Sequence, residues 1–180
     1  RQQFRNGATQ LKLATNGGIS AVYSPLDLDQ FTDDELGAAA ETAKAFGSYF
    51  MVHAYYDNAV SRAIDFGAKS IEHGNMMTEA SVKKMKEKDV YLVVEALMSL
   101  SDGSPDFTPE QQKKFQLAKD GFMKMIELAK KHKLKIALGS DTFLSKEAYD
   151  LQALEWTARA KLFDSAEVMK QATSIGAELI

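Results

Sequence analysis

The sequence contains no cysteine, no surplus of basic side chains and no long apolar segment. Without cysteine the chain can form no disulfide, no zinc ribbon and no thiol nucleophile. Its 180 residues include 22 basic and 25 acidic side chains, and the net charge of −3 gives no surplus to neutralise phosphates. Charged residues interrupt the apolar stretches well short of a membrane span. We therefore expect neither a nucleic acid nor a membrane as partner.

What the sequence does contain is the composition of a globular protein, with 45% hydrophobic and 26% charged residues. This apolar content is sufficient for one sizeable core without added cross-links. No low-complexity linker divides the chain, so residues 1–180 are predicted to form a single domain. No signal peptide is visible, but the chain opens with Arg1 rather than methionine. The true N-terminus and the cell compartment are therefore left open.

Short apolar segments alternate along the chain with segments that carry helix signals. The predicted strands are Leu11–Ala14, Tyr49–Val52, Ser70–Ile71, Val90–Val94 and Leu134–Leu138. The residues predicted to begin helices are Thr32, Thr78, Thr108 and Ser165, and the glycines predicted to end them are Gly47 and Gly67. From Glu147 onwards we expect two helices with a break near Asp164. This alternation is typical of a parallel sheet covered by helices.

Five parallel strands fit two architectures, and the pattern alone does not decide between them. An open doubly wound sheet would be complete at this chain length. A (β/α)₈ barrel needs about 250 residues, so this chain would supply roughly its last five-eighths.

In both architectures the active site lies at the carboxyl ends of the strands, so the polar residues there are the informative ones. His53, His73 and Asp141 follow the second, third and fifth predicted strands, and Glu95 follows the fourth. Histidines and a carboxylate at converging strand ends are the ligands that zinc prefers. The alternative is that each histidine packs in the core or a loop. The third histidine, His132, lies at a basic helix end and is predicted to be structural.

Lys12 lies inside the first predicted strand, where a buried, unpaired ammonium group would be costly. It must therefore point into a polar site, lose its charge or be modified; carbamylation by carbon dioxide would make it an anion able to bridge two metals. The alternative is a lysine that reaches solvent at the strand edge. The Gly17-Gly18 pair that follows lacks the further residues of a phosphate-binding motif, which favours a turn or a close backbone approach.

Five short motifs occur in an order and at a spacing that together are specific. They are Leu11–Gly18 (LKLATNGG), Asp29–Thr32 (DQFT), Val52–Tyr55 (VHAY), Ser70–Asn75 (SIEHGN) and Gly139–Asp141 (GSD). With them the chain resembles the amidohydrolase superfamily, specifically its prolidase-like metal-dependent dipeptidases and carboxypeptidases. Imidazolonepropionases are similar but more distant, and ochratoxin-hydrolysing amidases form another similar branch. The resemblance spans about Arg5 to Ile180 and implies an α/β fold, the (β/α)₈ TIM barrel of metal-dependent hydrolases, represented here by strands four to eight.

The resemblance also implies a hydrolytic site with two zinc ions (Zn²⁺). By match, Lys12 would be the carbamylated bridge between the metals, His53 and His73 would bind one metal, and Asp141 would bind the other. Asp141 would also take a proton from the bridging water and give it to the leaving amine. Two cations would lower the pKa of a shared water and polarise the scissile carbonyl.

Three further residues are assigned around these ligands. Tyr55 would hydrogen-bond the carbonyl oxygen or the carboxylate of the substrate, with a packing role in its loop as the alternative. Glu72 and Asn75 would orient His73 by contacts on the side of its ring away from the metal. Between Glu95 and Pro109, Met98, Leu100 and Phe107 predict an apolar wall, while Asp102 and Asp106 offer charges to a basic side chain.

The expected function is hydrolysis of the amide or peptide bond of a dipeptide or N-acyl amino acid, as in an Xaa-Pro dipeptidase. Two alternatives remain: a cyclic-amide hydrolase of the imidazolonepropionase type, with one metal and no bridging lysine, and a non-catalytic incomplete barrel. The family's first strand supplies a His-x-His metal-binding pair, and nothing here matches that pair, strands one to three or the small β-sandwich. We therefore expect open sheet edges to associate with the missing barrel part or a second copy.

Overall fold

The computed structural model describes residues 1–142 and 146–180. Its strands form one sheet and are β1 (Leu11–Ala14), β2 (Phe50–Tyr56), β3 (Ser70–Met76), β4 (Tyr91–Val94) and β5 (Ile136–Leu138). The helices in these ranges are α1 (Gln2–Arg5), α2 (Asp33–Ala45), α3 (Asp57–Asp65), α4 (Glu79–Glu87), α5 (Ala96–Ser99), α6 (Pro109–Lys131), α7 (Lys146–Asp150), α8 (Leu154–Arg159), α9 (Ser165–Ala172) and α10 (Ser174–Leu179). Within the two ranges, no helix is both long and apolar enough to cross a membrane.

The strands lie in the order β1-β2-β3-β4-β5, and each pairs in parallel with the next. A doubly wound sheet reverses its strand order at a switch point, where the chain crosses to the other half of the sheet. This sheet has no reversal, because every connection advances by one strand in the same direction. The order is therefore that of a barrel wall.

The two faces of the sheet differ in what covers them. Val52, Ile71 and Leu92 lie side by side in the strand register, and all three are fully buried under the helices. The next row, on the opposite face, includes His53, which pairs with Glu72 and is only partly buried. The apolar core thus lies between sheet and helices, and the polar residues face what would be the barrel interior.

The expectation that Lys12 lies in a strand buried on both faces is wrong. β1 forms the edge of the sheet and has a neighbouring strand only on the β2 side, so Lys12 is exposed. In the register it lies beside Met51, two rows below His53 and therefore on the same face, that of the barrel interior. Lys12 therefore needs no buried partner in this chain, and its side chain is free to reach the site.

β2 and β3 are longer than predicted. The predicted strands ended before His53 and before Glu72, but the parallel ladder continues to Tyr56 in β2 and to Met76 in β3. The reason is that backbone groups make the ladder, whereas the prediction ended each strand where polar side chains begin. The histidines thus lie within strands rather than in the loops after them.

The helix starts predicted at Thr32 and Thr108 are confirmed. Thr32 and Thr108 both begin helices with complete capping boxes, in which a side-chain oxygen of Glu35 or Gln111 accepts a hydrogen bond from the backbone N–H of the cap residue. The predicted ends of α2 and α3 are also confirmed, since the glycines that follow them, Gly47 and Gly67, have φ of 65° and 83°.

Two caps and the helix count near the C-terminus need correction. Thr78 precedes α4, but its side chain makes no capping hydrogen bond; its backbone N–H instead donates to Asp57 Oδ1 at 2.6 Å. Ser165 is the first residue of α9, and the cap is Asp164, whose carboxylate accepts from the Glu167 N–H at 2.9 Å. A carboxylate also complements the helix dipole there. Four short helices, α7 to α10, replace the two that were predicted.

Candidate active site

A cavity opens at the carboxyl edge of the sheet. Its polar lining includes His53 and Tyr55 from β2, Glu95 directly after β4 and Asp141 after β5. Its apolar lining consists of Ile19, Met98, Phe107 and Phe115. Side chains that are far apart in sequence meet there because parallel strands end at the same edge.

The predicted apolar wall is present in part. Met98 and Phe107 line the cavity, whereas Leu100 packs against the main core. Asp102 is fully exposed and forms an ion pair with Lys119 at 3.0 Å, outside the cavity lining.

Three aromatic rings form the floor of the site. The ring centroids of His53 and His73 lie 4.5 Å apart, and the rings are nearly perpendicular. Tyr55 stacks on His73 at 4.7 Å and meets the edge of His53 at 5.1 Å. Each ring therefore restricts the orientation of the other two, and the two predicted zinc ligands from adjacent strands are brought together.

A bulge in β3 brings His73 to this position. In the register His73 pairs with Ala54, which faces the helices, so strict alternation would direct His73 away from His53. The pairing then shifts by one residue, and both His73 and Gly74 have positive φ, 76° and 66°. Bulges next to active sites commonly re-aim a side chain in this way.

Backbone strain marks the same residues. In the described part of the chain four non-glycine residues have positive φ: His73, Asp89, Lys133 and Asp141. Asp89 and Lys133 each follow the C-cap of a helix, where a left-handed residue is a normal ending. His73 and Asp141 follow no helix, and such strain tends to occur at functional sites.

Glu95 contacts His73 directly, a role that its sequence context did not predict. Its Oε1 lies 2.7 Å from His73 Nδ1, and both side chains are buried. Burial lowers the pKa of His73, but the charge of Glu95 and its hydrogen bond outweigh burial, and the pKa is raised. The only signal in the sequence was its position directly after an apolar strand, in line with the other candidates.

His53 is held in its neutral form. Burial, together with the positive charges of His73 and Lys12, lowers its pKa to about 4, against the opposing effect of a hydrogen bond with the Gly17 carbonyl. That bond joins His53 Nε2 to the Gly17 oxygen at 3.1 Å. A neutral imidazole is the form that binds a metal.

Asp141 lies at the exposed rim of the cavity. Partial burial of its carboxyl group raises its pKa, the charge of Glu95 raises it further, and the positive charges of His73 and Lys12 oppose this. Lys12 therefore lies within electrostatic range of both Asp141 and His53. Residues 143–145, directly after this strand end, lie outside the described part of the chain.

Glu72 and Asn75 make hydrogen bonds elsewhere. The Ser70 hydroxyl donates to Glu72 at 2.6 Å, and Asn75 donates to the Ala118 carbonyl at 3.0 Å. Among the described residues, the hydrogen bond of the His73 ring is with Glu95. The orienting role of Glu72 and Asn75 thus stays a prediction.

The donor set here is incomplete for a metal. Within residues 1–142 and 146–180, no three His, Asp or Glu side chains are close enough together to hold an ion. The chemistry of the donors nevertheless fits zinc: two imidazoles meet at the floor, one of them is neutral, and a carboxylate lies at the rim. Glu95 occupies His73 Nδ1 and leaves Nε2 as the ligand atom.

Comparison with known proteins identifies the same fold and family. The amidohydrolase family profile matches residues 1–180. The ochratoxinase of Aspergillus niger is 29% identical over 145 residues, which are 79% of this chain and 30% of the relative.

Two solved structures match this chain over part of their own length. A prolidase complexed with N-methylphosphonate-L-proline superposes with a TM-score of 0.91 at 30% identity, over 99% of this chain and 44% of that one. A Xaa-Pro dipeptidase with methionine bound in its active site gives 0.86 at 26% identity, over 99% and 45%. The chain thus spans less than half of either, and the predicted fold class, part of an amidohydrolase (β/α)₈ barrel, is confirmed.

Proposed function

Because this chain belongs to the amidohydrolase family, we propose that it forms strands four to eight of a metal-dependent hydrolase that cleaves the amide or peptide bond of dipeptides or N-acyl amino acids. The observation that carries the proposal is the meeting of His53 and His73, 4.5 Å apart, beneath a cavity that Asp141 also lines. Prolidase and Xaa-Pro dipeptidase among its structural neighbours support a dipeptide with C-terminal proline as the first substrate to test.

In this proposal His53 and His73 would hold one Zn²⁺ and Asp141 a second, and carbamylated Lys12 would supply an anionic ligand to both. The neutral state of His53 and the free Nε2 of His73 support this assignment. The remaining ligands belong to barrel strands that this chain does not contain. When bound, the metals lower the pKa of a shared water and polarise the scissile carbonyl.

In this proposal Asp141 transfers the proton between the attacking water and the leaving amine. A carboxylate oxygen of Asp141 accepts a proton from the attacking water and then donates it to the nitrogen of the leaving amine. The raised pKa of Asp141 suits both steps, because an acid–base group works best with a pKa near the working pH.

Tyr55 positions the substrate. Burial raises the pKa of Tyr55 well above its usual value, with a further rise from Glu95 and Asp141, so its hydroxyl stays protonated. It therefore acts as a donor to the substrate carbonyl or carboxylate oxygen. The apolar side chains Met98 and Phe107 exclude water around the scissile bond.

The test is zinc content and hydrolysis of Ala-Pro by the complete barrel, with Lys12→Ala as the variant and the exposed Lys44→Ala as control. We expect about two zinc ions per chain in wild type and control, and at most about one in Lys12→Ala, with loss of hydrolysis. Unchanged hydrolysis in Lys12→Ala would exclude the bridging role. One zinc in all three proteins would favour the cyclic-amide hydrolase, and neither zinc nor hydrolysis would favour a non-catalytic barrel.

A further inference from the structure

Lys114 of α6 is a buried cation paired only with backbone. Its residue is 4% exposed, and a lysine this buried normally pairs with a carboxylate. Among the described residues its ammonium group contacts carbonyl oxygens instead, at 2.5 Å from Ala21, 2.8 Å from Ser24 and 3.5 Å from Gly18. All three carbonyls belong to residues 17–25, the β1 loop.

A second side chain of α6 holds the same loop. Gln111 lies three residues before Lys114, on the same side of the helix, and its Nε2 donates to the Ser20 carbonyl at 2.7 Å. The loop is also folded tightly on itself, because a Cβ atom at Gly17 would lie 2.2 Å from the Pro25 carbonyl oxygen. One helix face thus fixes the middle of a compact loop at four carbonyl groups.

The β1 loop forms part of the active-site cavity. Ile19 and Ser20 line it, and the Gly17 carbonyl is the hydrogen-bond partner of His53 Nε2 at 3.1 Å. The position of Lys114 therefore determines where one wall of the cavity stands and what the ring of His53 contacts. Phe115, the next residue of α6, lines the same cavity, so the helix and the loop both contribute to its wall.

We propose that Lys114 is a positioning residue, whose buried ammonium group clamps the β1 loop against α6 and so shapes the substrate wall beside His53. The clamp itself is a property of this chain, whereas its effect on catalysis rests on the proposed function. The substrate meets the loop through Ile19 and Ser20, so loosening the clamp weakens binding more than the chemical step.

Limited chymotrypsin digestion of the complete protein tests the clamp without any assay of activity. Tyr23 is 97% exposed within the β1 loop, and cleavage after it requires the loop to open locally. Lys114→Met removes the charge at nearly constant size, and Lys113→Met is the control on the exposed neighbour. We expect cleavage after Tyr23 to accelerate on the order of tenfold in Lys114→Met and to stay unchanged in the control, with mass spectrometry to locate the cut.

A second variant covers the case in which Lys114→Met does not fold. Gln111→Glu keeps a side-chain oxygen that can accept from the Thr108 N–H at the start of α6. It removes the amide N–H that donates to the Ser20 carbonyl. It should accelerate the same cut by about threefold. Unchanged cleavage after Tyr23 in a folded Lys114→Met, or an equal acceleration at sites throughout the sheet, would overturn the proposal.

Kinetics separate the clamp from the proposed function. If the wild type hydrolyses Ala-Pro, Lys114→Met should raise KM about tenfold and change kcat by less than about threefold. A loss confined to kcat would contradict a role in shaping the wall. If the wild type hydrolyses nothing, the proposed function fails, while the digestion still decides whether Lys114 holds the loop.

Discussion

Two buried polar clusters lie on either side of the end of β4, and they differ in how completely they are paired. The site cluster consists of His53, Tyr55, His73 and Glu95. The salt-bridge cluster consists of Glu155, Arg159 and Gln171, and all three residues have no exposed surface. The two clusters are neighbours, because Glu155 accepts hydrogen bonds from the N–H groups of Ala96 and Leu97, directly after Glu95, at 2.7 Å each.

In the salt-bridge cluster the polar atoms have protein partners on all sides. Arg159 pairs with Glu155 at 2.9 Å and also donates to Gln171 and to the carbonyls of Val94 and Ala137. Burial raises the pKa of Glu155 and lowers that of Arg159, and these hydrogen bonds and charges offset it in both groups. A network satisfied in this way stabilises one structure and leaves no atom for a ligand.

The site cluster leaves atoms open. Among the described residues, neither the Tyr55 hydroxyl nor His73 Nε2 has a hydrogen-bond partner, and the Tyr55 side chain lines the cavity. Tyr55, His73 and Glu95 are buried as well, so burial alone does not distinguish a structural from a functional group. The difference lies in the unpaired donor and acceptor atoms and in the strained backbone at His73.

The largest expected effect is the loss of activity in Asp141→Asn, a variant that should leave stability almost unchanged. The amide cannot accept and return a proton, so kcat for Ala-Pro should fall about 10²–10⁴-fold. Asp141 is exposed, so the free energy of unfolding should change by less than about 0.5 kcal/mol. Asp106→Asn, on an exposed loop residue, is the control for a lost surface charge. A kcat within about threefold of wild type would remove Asp141 from the proton path.

Arg159→Met tests the salt-bridge cluster. Without the guanidinium group the Glu155 carboxylate is buried beside no cation, and the free energy of unfolding should fall by about 3–5 kcal/mol. Urea unfolding of the complete barrel measures this loss. KM should stay near the wild-type value in the folded protein, because the hydrogen bonds of Arg159 within the described part of the chain go to no residue of the cavity lining.

The double variant Glu155→Met/Arg159→Met refines this test. Replacement of both charges usually restores much of the lost stability. Here it should restore little, because Glu155 also accepts the N–H groups of Ala96 and Leu97, which the double variant leaves without partners. Full recovery would show that the salt-bridge cluster contributes less than its hydrogen bonds indicate.

The parts of the fold that depend on neighbouring residues were predictable from the sequence. Thr32 and Thr108 begin helices because each capping box is complete within four residues. His53 and His73 were placed together from their positions after successive apolar segments, and the structure brings their rings into contact. Local signals and strand–helix alternation therefore suffice for a parallel sheet and for the candidate residues at its carboxyl edge, whereas the prediction of a barrel depended on the family resemblance.

What the sequence could not show depends on contacts between distant segments. The bulge at His73 re-aims a side chain against strand alternation, and only the register with β2 reveals it. Glu95 lies 22 residues from His73 and Lys114 lies about 90 residues from the loop it holds, so neither pair has a sequence spacing that signals it. Lys12 was placed in the correct strand, but its burial was expected because edge and central strands look alike in a short apolar segment.

Glu95→Gln and Glu72→Gln together test which carboxylate supports His73. Glutamine keeps the size of Glu95 but loses its charge, so zinc affinity and kcat/KM should each fall about 10–100-fold. Glu72 accepts a hydrogen bond from Ser70, and its variant should change both quantities by less than about threefold. Zinc titration followed by a fluorescent chelator measures the first quantity. Equal losses in the two variants would restore Glu72 to the orienting role predicted for it.

A further expected effect is a slope in the pH dependence of stability. In the metal-free protein His53 has a pKa of about 4, against an ordinary value of 6.5. Between these values the unfolded chain binds a proton that the folded protein does not, so stability falls as pH falls, by at most about 1.4 kcal/mol per pH unit. His53→Asn removes this contribution, and the raised pKa of His73 is common to both proteins. Urea unfolding in EDTA from pH 7 to pH 4 should therefore give a shallower slope in the variant, and parallel curves would mean that His53 titrates as freely as in the unfolded chain.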